Sequence, residues 1–376
     1  MMRGRMYLLL VTRKNLLSEP TRLAISVGGV ALSVLLITFL LSLYRGWNEK
    51  VGGFVEDVGA DIWIAREGTT DFLAAGSILP VERAGQLSAL PTLGRWSPLI
   101  VRPMTASKDG TEMDVQLVGF DVQTGMGGPV RMKEGKEVPG PGEVIVDEVL
   151  SQRYGVDIGD RIAGGGRDWT VVGKSSGGDF VASQTIFVAL DQAQEALEMD
   201  GLATFFLLQL KDPSQREQVA HTIESTQPGI VAIASDDFAA ATRDRVLGDI
   251  IPILIVILIL AFIVGFVVAA LTIYTATVEK AREYGILKAV GFTNGYLYRV
   301  VFEQSLITGL LGFLLGAGLT IVVAPLTQTV VPQFVVFIRW QDVLGVAGFT
   351  LLMVLLAAYV PTRRLAAIDP VEVFKA

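Results

Sequence analysis

The chain has no cysteine among its 376 residues and a single histidine, His221. Disulfide frameworks and thiolate chemistry are therefore excluded, and imidazole metal clusters or His-centred triads have almost no material to work with. Charge is scarce too. Asp, Glu, Lys and Arg make up 18% of the residues, against about 25% in ordinary soluble domains. The deficit is concentrated in four charge-free windows: Leu23 to Tyr44, Ile250 to Val278, Gln304 to Ile338 and Val343 to Thr362. With 51% hydrophobic residues and a mean hydropathy of +0.51, this is the pattern of a membrane protein with one large extramembrane domain.

A span needs roughly 20 apolar residues, so each window can cross a bilayer once. The third is too long for one straight span and too short for two. Pro325 and Pro332 predict a helix ending near residue 326 followed by an interfacial return loop, with Arg339 and Trp340 as an interfacial anchor. The first window follows Arg3, Arg5, Arg13 and Lys14, as a signal sequence would. Its apolar run exceeds the usual signal core and no small-x-small site closes it, so it reads as a retained span.

Basic residues cluster before the first span, after the second (Lys280, Arg282, Lys288, Arg299) and at the end (Arg363, Arg364, Lys375). This bias predicts both termini in the cytoplasm and the large domain outside the cytoplasmic membrane. The formal net charge is −7. Acids outnumber bases in residues 23–276 and the balance reverses in the rest, a distribution poorly suited to nucleic acid.

The middle of the chain reads as an α+β domain. "DVQLVGF" (114–120), "GEVIVDE" (142–148), "DWTVVGK" (168–174), "TIFVAL" (185–190) and "FFLLQL" (205–210) have strand composition, bounded by Gly, Asp or Pro. "LDQAQEALEM" (190–199) and "SQREQVAHTIEST" (214–226) have helical spacing. Two lobes are expected, with "KEGKEVPGPGE" (133–143) as the loop between them. The flanks 45–58 and 236–249 can prolong the first two spans as helices, with Gly46, Gly52 and Gly53 counting against the first.

Few residues suggest chemistry. "VGKSS" (172–176) contains the Gly-Lys-Ser of a phosphate loop, but Asp168 stands where the pattern needs glycine. It reads as a strand entering a turn, so no ATPase is expected in this chain. His221 sits on a polar helix beside Glu224 and reads as solvated. Asp236 and Asp237 after Ser235 read as an acidic helix start. No nucleophile–base constellation and no metal site is present, and no enzyme activity is expected. Ionisable residues within spans usually mark coupled transport, and the four windows contain none. Gly265 and "GLLGFLLGAG" (309–318) signal close helix packing. The energy source must lie elsewhere.

The segment "VEKAREYGILKAVG" (278–291) is charged and lies between two spans. On one continuous helix, Val278, Ala281, Gly285 and Ala289 form a stripe of small residues. Glu279, Lys280, Arg282 and Glu283 fan across the opposite half, with Leu287 among them. Pattern alone fits a basic loop and a docking helix equally.

Residues 275–319, "TATVEKAREYGILKAVGFTNGYLYRVVFEQSLITGLLGFLLGAGL", resemble permease subunits of the MacB/FtsX-like ABC transporter family. The family's charged segment after the second span is matched by Glu279, Lys280, Arg282, Glu283, Gly285, Leu287, Lys288, Ala289, Val290 and Gly291, with Lys280 in place of the more usual arginine. The tail "PTRRLAAIDPVEVFKA" (361–376) and "GEVIVDEVLSQRYGVDIGDRI…WTVVG" (142–173) are similar to other parts of the family pattern. The resemblance is specific over about the last hundred residues.

It implies an α-helical membrane domain of four transmembrane helices with an α+β extracytoplasmic domain inserted between the first and second. The expected divisions are 1–44 (N-terminus and first span), 45–249 (extracytoplasmic domain) and 250–376 (three spans, a coupling helix at 278–291 and the tail). Glu279, Lys280, Arg282, Glu283, Gly285, Leu287 and Lys288 are then the residues that contact a cytoplasmic ABC ATPase. The chain itself is expected to need no cofactor, ATP being bound by that partner. A second permease copy or paralogue, membrane lipids and a periplasmic adaptor complete the implied partners. The function implied is mechanotransmission in an export, efflux or extraction complex. The alternative is a regulator of the same family that controls a cell-wall hydrolase or senses a ligand.

Overall fold

The computed structural model describes residues 20–73, 76–87, 91–177, 184–331 and 335–366. The basic start (Arg3 to Lys14) and the tail from residue 367 lie outside the described residues. Two compact units divide the chain. One comprises Gly46–Ile250 with Val331–Val335, and the other Met1–Arg45, Ile251–Val330 and Val336–Ala376.

In chain order the elements begin with helices α1 (Pro20–Lys50) and α2 (Gly53–Asp57) and strands β1 (Ile62–Arg66) and β2 (Leu79–Pro80). Helix α3 (Ala84–Leu87) and the long strands β3 (Leu93–Lys108) and β4 (Thr111–Phe120) follow, then β5 (Arg131–Gly135), β6 (Glu143–Asp147) and α4 (Glu148–Tyr154). Next come β7 (Arg161–Gly164), β8 (Arg167–Ser176), β9 (Gln184–Ala189), α5 (Leu190–Ala196), β10 (Leu202–Ala203), β11 (Phe205–Leu210), α6 (Arg216–Thr226) and β12 (Ile230–Ala234). The chain continues through α7 (Ser235–Glu279), α8 (Ala281–Ala289), α9 (Asn294–Val330) and α10 (Trp340–Ala366). All twelve strands thus fall between the first and second long helices.

The sheet unit is built on one ladder in the order β12-β1-β11-β3-β4-β9-β6-β8-β5, with β7 bridging β3 and β8. The β4–β9 and β6–β8 pairs are parallel, and the remaining pairs are antiparallel. Through β7 the ladder from β3 to β8 closes on itself, which removes edges that would otherwise be open. The expected loop at 133–143 is partly strand: Arg131 to Gly135 form β5, paired with β8. The expected two lobes share their strands without a linker, because β3 pairs with β11 on one side and with β4 on the other.

Strand β3 contains Pro98 and Pro103, which would normally disqualify a central strand because proline has no N–H to donate. The register explains how it survives. Pro98 lies opposite Phe206 of β11, before the β4 pairing begins at Leu99, and Pro103 lies opposite Gln116 of β4, beyond the β11 pairing. Each proline therefore sits where the strand is paired on one side only.

The aromatic part of the core gathers Trp63, Phe72, Phe205 and Phe238, with Phe205 centred 5.5 Å from both Trp63 and Phe72 and 5.7 Å from Phe238. Asp147 is buried and caps α4 by accepting from the Leu150 N–H, while also accepting from the Thr185 N–H at the start of β9. "VGKSS" lies on β8, where Lys174 pairs with Asp157. His221 is exposed on α6. Asp236 and Asp237 occupy the first turn of α7, as expected. No group of three or more metal-ligating side chains occurs among the described residues.

The described residues hold four helices long and apolar enough to cross a membrane: Pro20–Asp57, Ser235–Glu279, Asn294–Thr327 and Trp340–Tyr359. Helix α1 passes Gly46 without breaking and gives way only near Gly52. In the third window Pro325 stays inside α9, which ends at Val330 rather than at 326, and the described residues from 335 to 339 are not helical.

The core of the helical unit joins Val30 and Val34 of α1, Ala261 and Ala269 of α7, and Met353, Val354 and Ala357 of α10. The glycines of α9 let it approach closely: a Cβ on Gly312 would lie 2.5 Å from Val30 Cγ1, and one on Gly316 would lie 2.5 Å from the Ala31 carbonyl oxygen. Span hydroxyls such as Thr272, Thr277, Ser305, Thr320 and Thr350 donate to carbonyls four residues back on their own helix. They are satisfied internally and need no polar pathway. Arg299 and Glu303, an i,i+4 pair at 3.7 Å, lie on the first turns of α9.

Candidate functional site

Helix α7 ends at Glu279, and the chain kinks at Lys280 (φ −89°, ψ 8°) before α8 begins. The backbone bonds Lys280 N–H to Ala276 O and Tyr284 N–H to Lys280 O persist through the kink, so it turns the chain without freeing it. The far end of α8 is closed by Gly291, whose φ of +103° suits glycine far better than any residue with a Cβ. The N–H groups of Gly291 and Phe292 bond back to the carbonyls of Lys288 and Leu287, satisfying the end of the helix. Phe292 and Tyr296 then pack with ring centroids 4.8 Å apart as α9 starts.

Tyr284 anchors α8. It is 4% exposed and sits with Leu297 and Val301 of α9 and Ala358 of α10, joined by the half-buried Leu287 and Tyr298. Burial first, and then the charge of Glu283, push its phenol up to about 12, so it stays neutral across the physiological range. The sequence pattern pointed instead to the stripe Val278, Ala281, Gly285 and Ala289 as the packed face. Of these only Gly285 is buried, while Val278 and Ala289 are exposed. The kink sets Val278 on α7, apart from the other three on α8, and Ala289, the last residue of α8, is exposed.

The seven residues expected to contact an ATPase are therefore spread over several environments. Arg282 and Glu283 are exposed on α8, and Gly285 is buried beneath it. Leu287 and Lys288 are half-buried. Glu279 is exposed at the end of α7 and accepts from Arg22 of α1 at 2.6 Å. Lys280 sits at the kink itself. The outward face at α8 has an apolar centre absent from the seven expected contacts, Ile286 and, just past the last residue of the helix, Val290, which is 74% exposed. They follow Arg282 and Glu283 at helical spacing, and exposed Phe292 continues the patch. Their signal in the sequence was present, as large apolar residues in a segment too charged to lie in a bilayer.

Four helices long and apolar enough to cross a membrane, with twelve strands among the described residues placed between the first two and a short anchored helix directly after the second, define a multi-pass membrane architecture. The FtsX-like permease C-terminal model matches residues 255–370, and the MacB-like periplasmic core domain model matches residues 23–226. The chain belongs to the MacB/FtsX-like family of ABC transporter permeases. It is 25% identical over 363 residues to an uncharacterised ABC transporter permease of Mycobacterium bovis, covering 94% of this chain and 95% of that one. It is also 25% identical over 259 residues to the lipoprotein-releasing system transmembrane protein LolC of Haemophilus influenzae, covering 61% and 63% of the two chains. The periplasmic region of MacB from Actinobacillus actinomycetemcomitans aligns with a TM-score of 0.39 at 14% identity, over 48% of this chain and 92% of that one.

Proposed function

We propose that this chain is the membrane-spanning subunit of an ABC-type export or extraction complex, and that it relays ATP-driven motion of a separate ATPase to the sheet unit. The observation that carries this reading is the outward face of α8: exposed Arg282, Glu283, Ile286 and Val290 on a short helix held from behind by Tyr284. A helix anchored on one face and presenting charges around apolar knobs on the other has the build of a partner contact. Helix α7, unbroken from Ser235 to Glu279, contributes residues to both units and is the covalent route for the relay. The hydroxyls of Thr272, Thr277, Ser305, Thr320 and Thr350, bonded within their own helices, support a mechanism that does not thread a polar substrate through the spans.

In this reading the α8 end faces the cytoplasm, the sheet unit lies outside the plasma membrane, and two permeases, identical or paralogous, work with two ATPases. A periplasmic adaptor is a further partner of the sheet unit. The relative named for lipoprotein release supports a lipid-bearing cargo taken from the outer leaflet.

The test is gentle solubilisation of the tagged chain from native membranes, with co-purifying proteins identified by mass spectrometry. A stoichiometric nucleotide-binding ATPase is expected. Glu283→Lys, on the exposed face, should reduce ATPase recovery at least tenfold, about 1.4 kcal/mol of lost affinity, while the melting temperature stays unchanged. Gly285→Leu should displace α8 and uncouple ATP hydrolysis from cargo movement. Full ATPase recovery and coupling in both variants would refute the coupling role.

A further inference from the structure

The helical unit contains a small cleft, about 60 Å³, that the docking face of α8 does not use. Its lining is two-sided. Arg22 of α1 and Lys280 at the kink line it together with Tyr284, Gln304, Ser26, Thr272 and Thr308. Leu23 and Ile273 form an apolar wall beside them. Among the described residues no carboxylate belongs to the lining. Glu279 lies outside it and pairs with Arg22 at 2.6 Å. Lys280 makes no ion pair among the described residues.

Charge and place together select the ligand. Two cations and neutral polar residues in one lining complement a small oxyanion. Arg22 lies in the first turn of the first candidate span and Lys280 directly follows the last residue of the second. That is the depth at which apolar helix surface gives way to polar groups, and where lipid phosphates meet basic side chains. A free phosphate ion would use the cations and leave the apolar wall without a role, whereas a phospholipid uses both. We propose that this cleft holds the phosphate of a membrane phospholipid headgroup, clamped by Arg22 and Lys280, with the glycerol and first acyl carbons against Leu23 and Ile273. The inference does not rest on the ATPase reading: Lys280, one of the expected ATPase contacts, enters it only as part of the cleft, and lipid retention is read with no ATPase present.

The experiment is native mass spectrometry of the full chain released from nanodiscs of equal phosphatidylglycerol and phosphatidylcholine. Retention of phosphatidylglycerol over phosphatidylcholine is expected, falling about fivefold with each basic residue removed, in Lys280→Gln and in Arg22→Gln. Lys288→Gln, a loss of the same charge outside the cleft, should retain the lipid preference. Lys280→Gln breaks no ion pair and keeps the test decisive if Arg22→Gln fails to fold. Equal retention of the two lipids, or an unchanged preference in Lys280→Gln, would overturn the proposal. A third arm adds inorganic phosphate to lipid-free protein: phosphate held at the same occupancy would overturn the lipid assignment in favour of a free anion.

Discussion

Gly312 and Gly316 determine how near α9 comes to α1, while Gly318, two residues on, has nothing within 4 Å of where a Cβ would stand. Gly316→Val should therefore cost about 1–3 kcal/mol through overpacking, read as a lower melting temperature in detergent, and Gly318→Val should leave the melt unchanged. The "GLLGFLLGAG" spacing made close packing legible, but which glycine meets a neighbour depends on helix rotation, which a single helix does not encode. Electrostatics at the surface of the sheet unit make a second prediction. The Lys108 ammonium, followed by the Asp157 backbone N–H, holds the Asp160 carboxyl below its ordinary value. A carboxyl with a folded value below its unfolded value contributes stability above about pH 4, and loses it as pH falls through the folded value. Asp160→Asn should accordingly show a smaller drop in melting temperature than the parent between about pH 5 and pH 2.

At the scale of elements, α8 depends on a large side chain more than on small ones. Tyr284→Ala removes the anchor from a cluster containing Leu297, Val301 and Ala358, and should cost about 3–5 kcal/mol, the range for large aromatics. Tyr284→Phe keeps the ring and should retain most of the stability, as a thermal melt of both variants would show. The sequence made the existence of α8 readable through its charge and its closing Gly291, but its phase was hidden. The small-residue stripe assumed one continuous helix, and a kink satisfied by ordinary backbone bonds leaves no compositional mark. Among strands the contrast is similar. β11 coincides with "FFLLQL" because it is buried along almost its whole length and bounded by polar residues. β3, the longest strand, escaped notice because Pro98 and Pro103 punctuate it, and their tolerance follows from its neighbours' register. β5 was read as loop because its charged residues are exposed, as befits a strand at the end of the ladder.

At the scale of the whole molecule, the two units have separate cores: the aromatic cluster around Phe205 and the span cluster around Val30 and Met353. Unfolding is expected in more than one step. Phe205→Ala should lower one calorimetric transition, by about 3–5 kcal/mol in that unit, and leave the other in place; a single transition shifted as a whole would show that the units unfold cooperatively. Class and span number were legible from charge-free windows alone, whereas ladder order was not, because it joins residues far apart in the chain. That distance also imposes a timetable on biogenesis. Strand β1 takes both its partners from much later in the chain, β11 and β12, and β12 runs directly into α7. A ribosome therefore makes the first span and β1 long before it makes either partner, so β1 remains an uncovered edge while residues 67–204 are made. The sheet is completed only as the second span emerges, and membrane insertion of that span and closure of the sheet fall in the same interval.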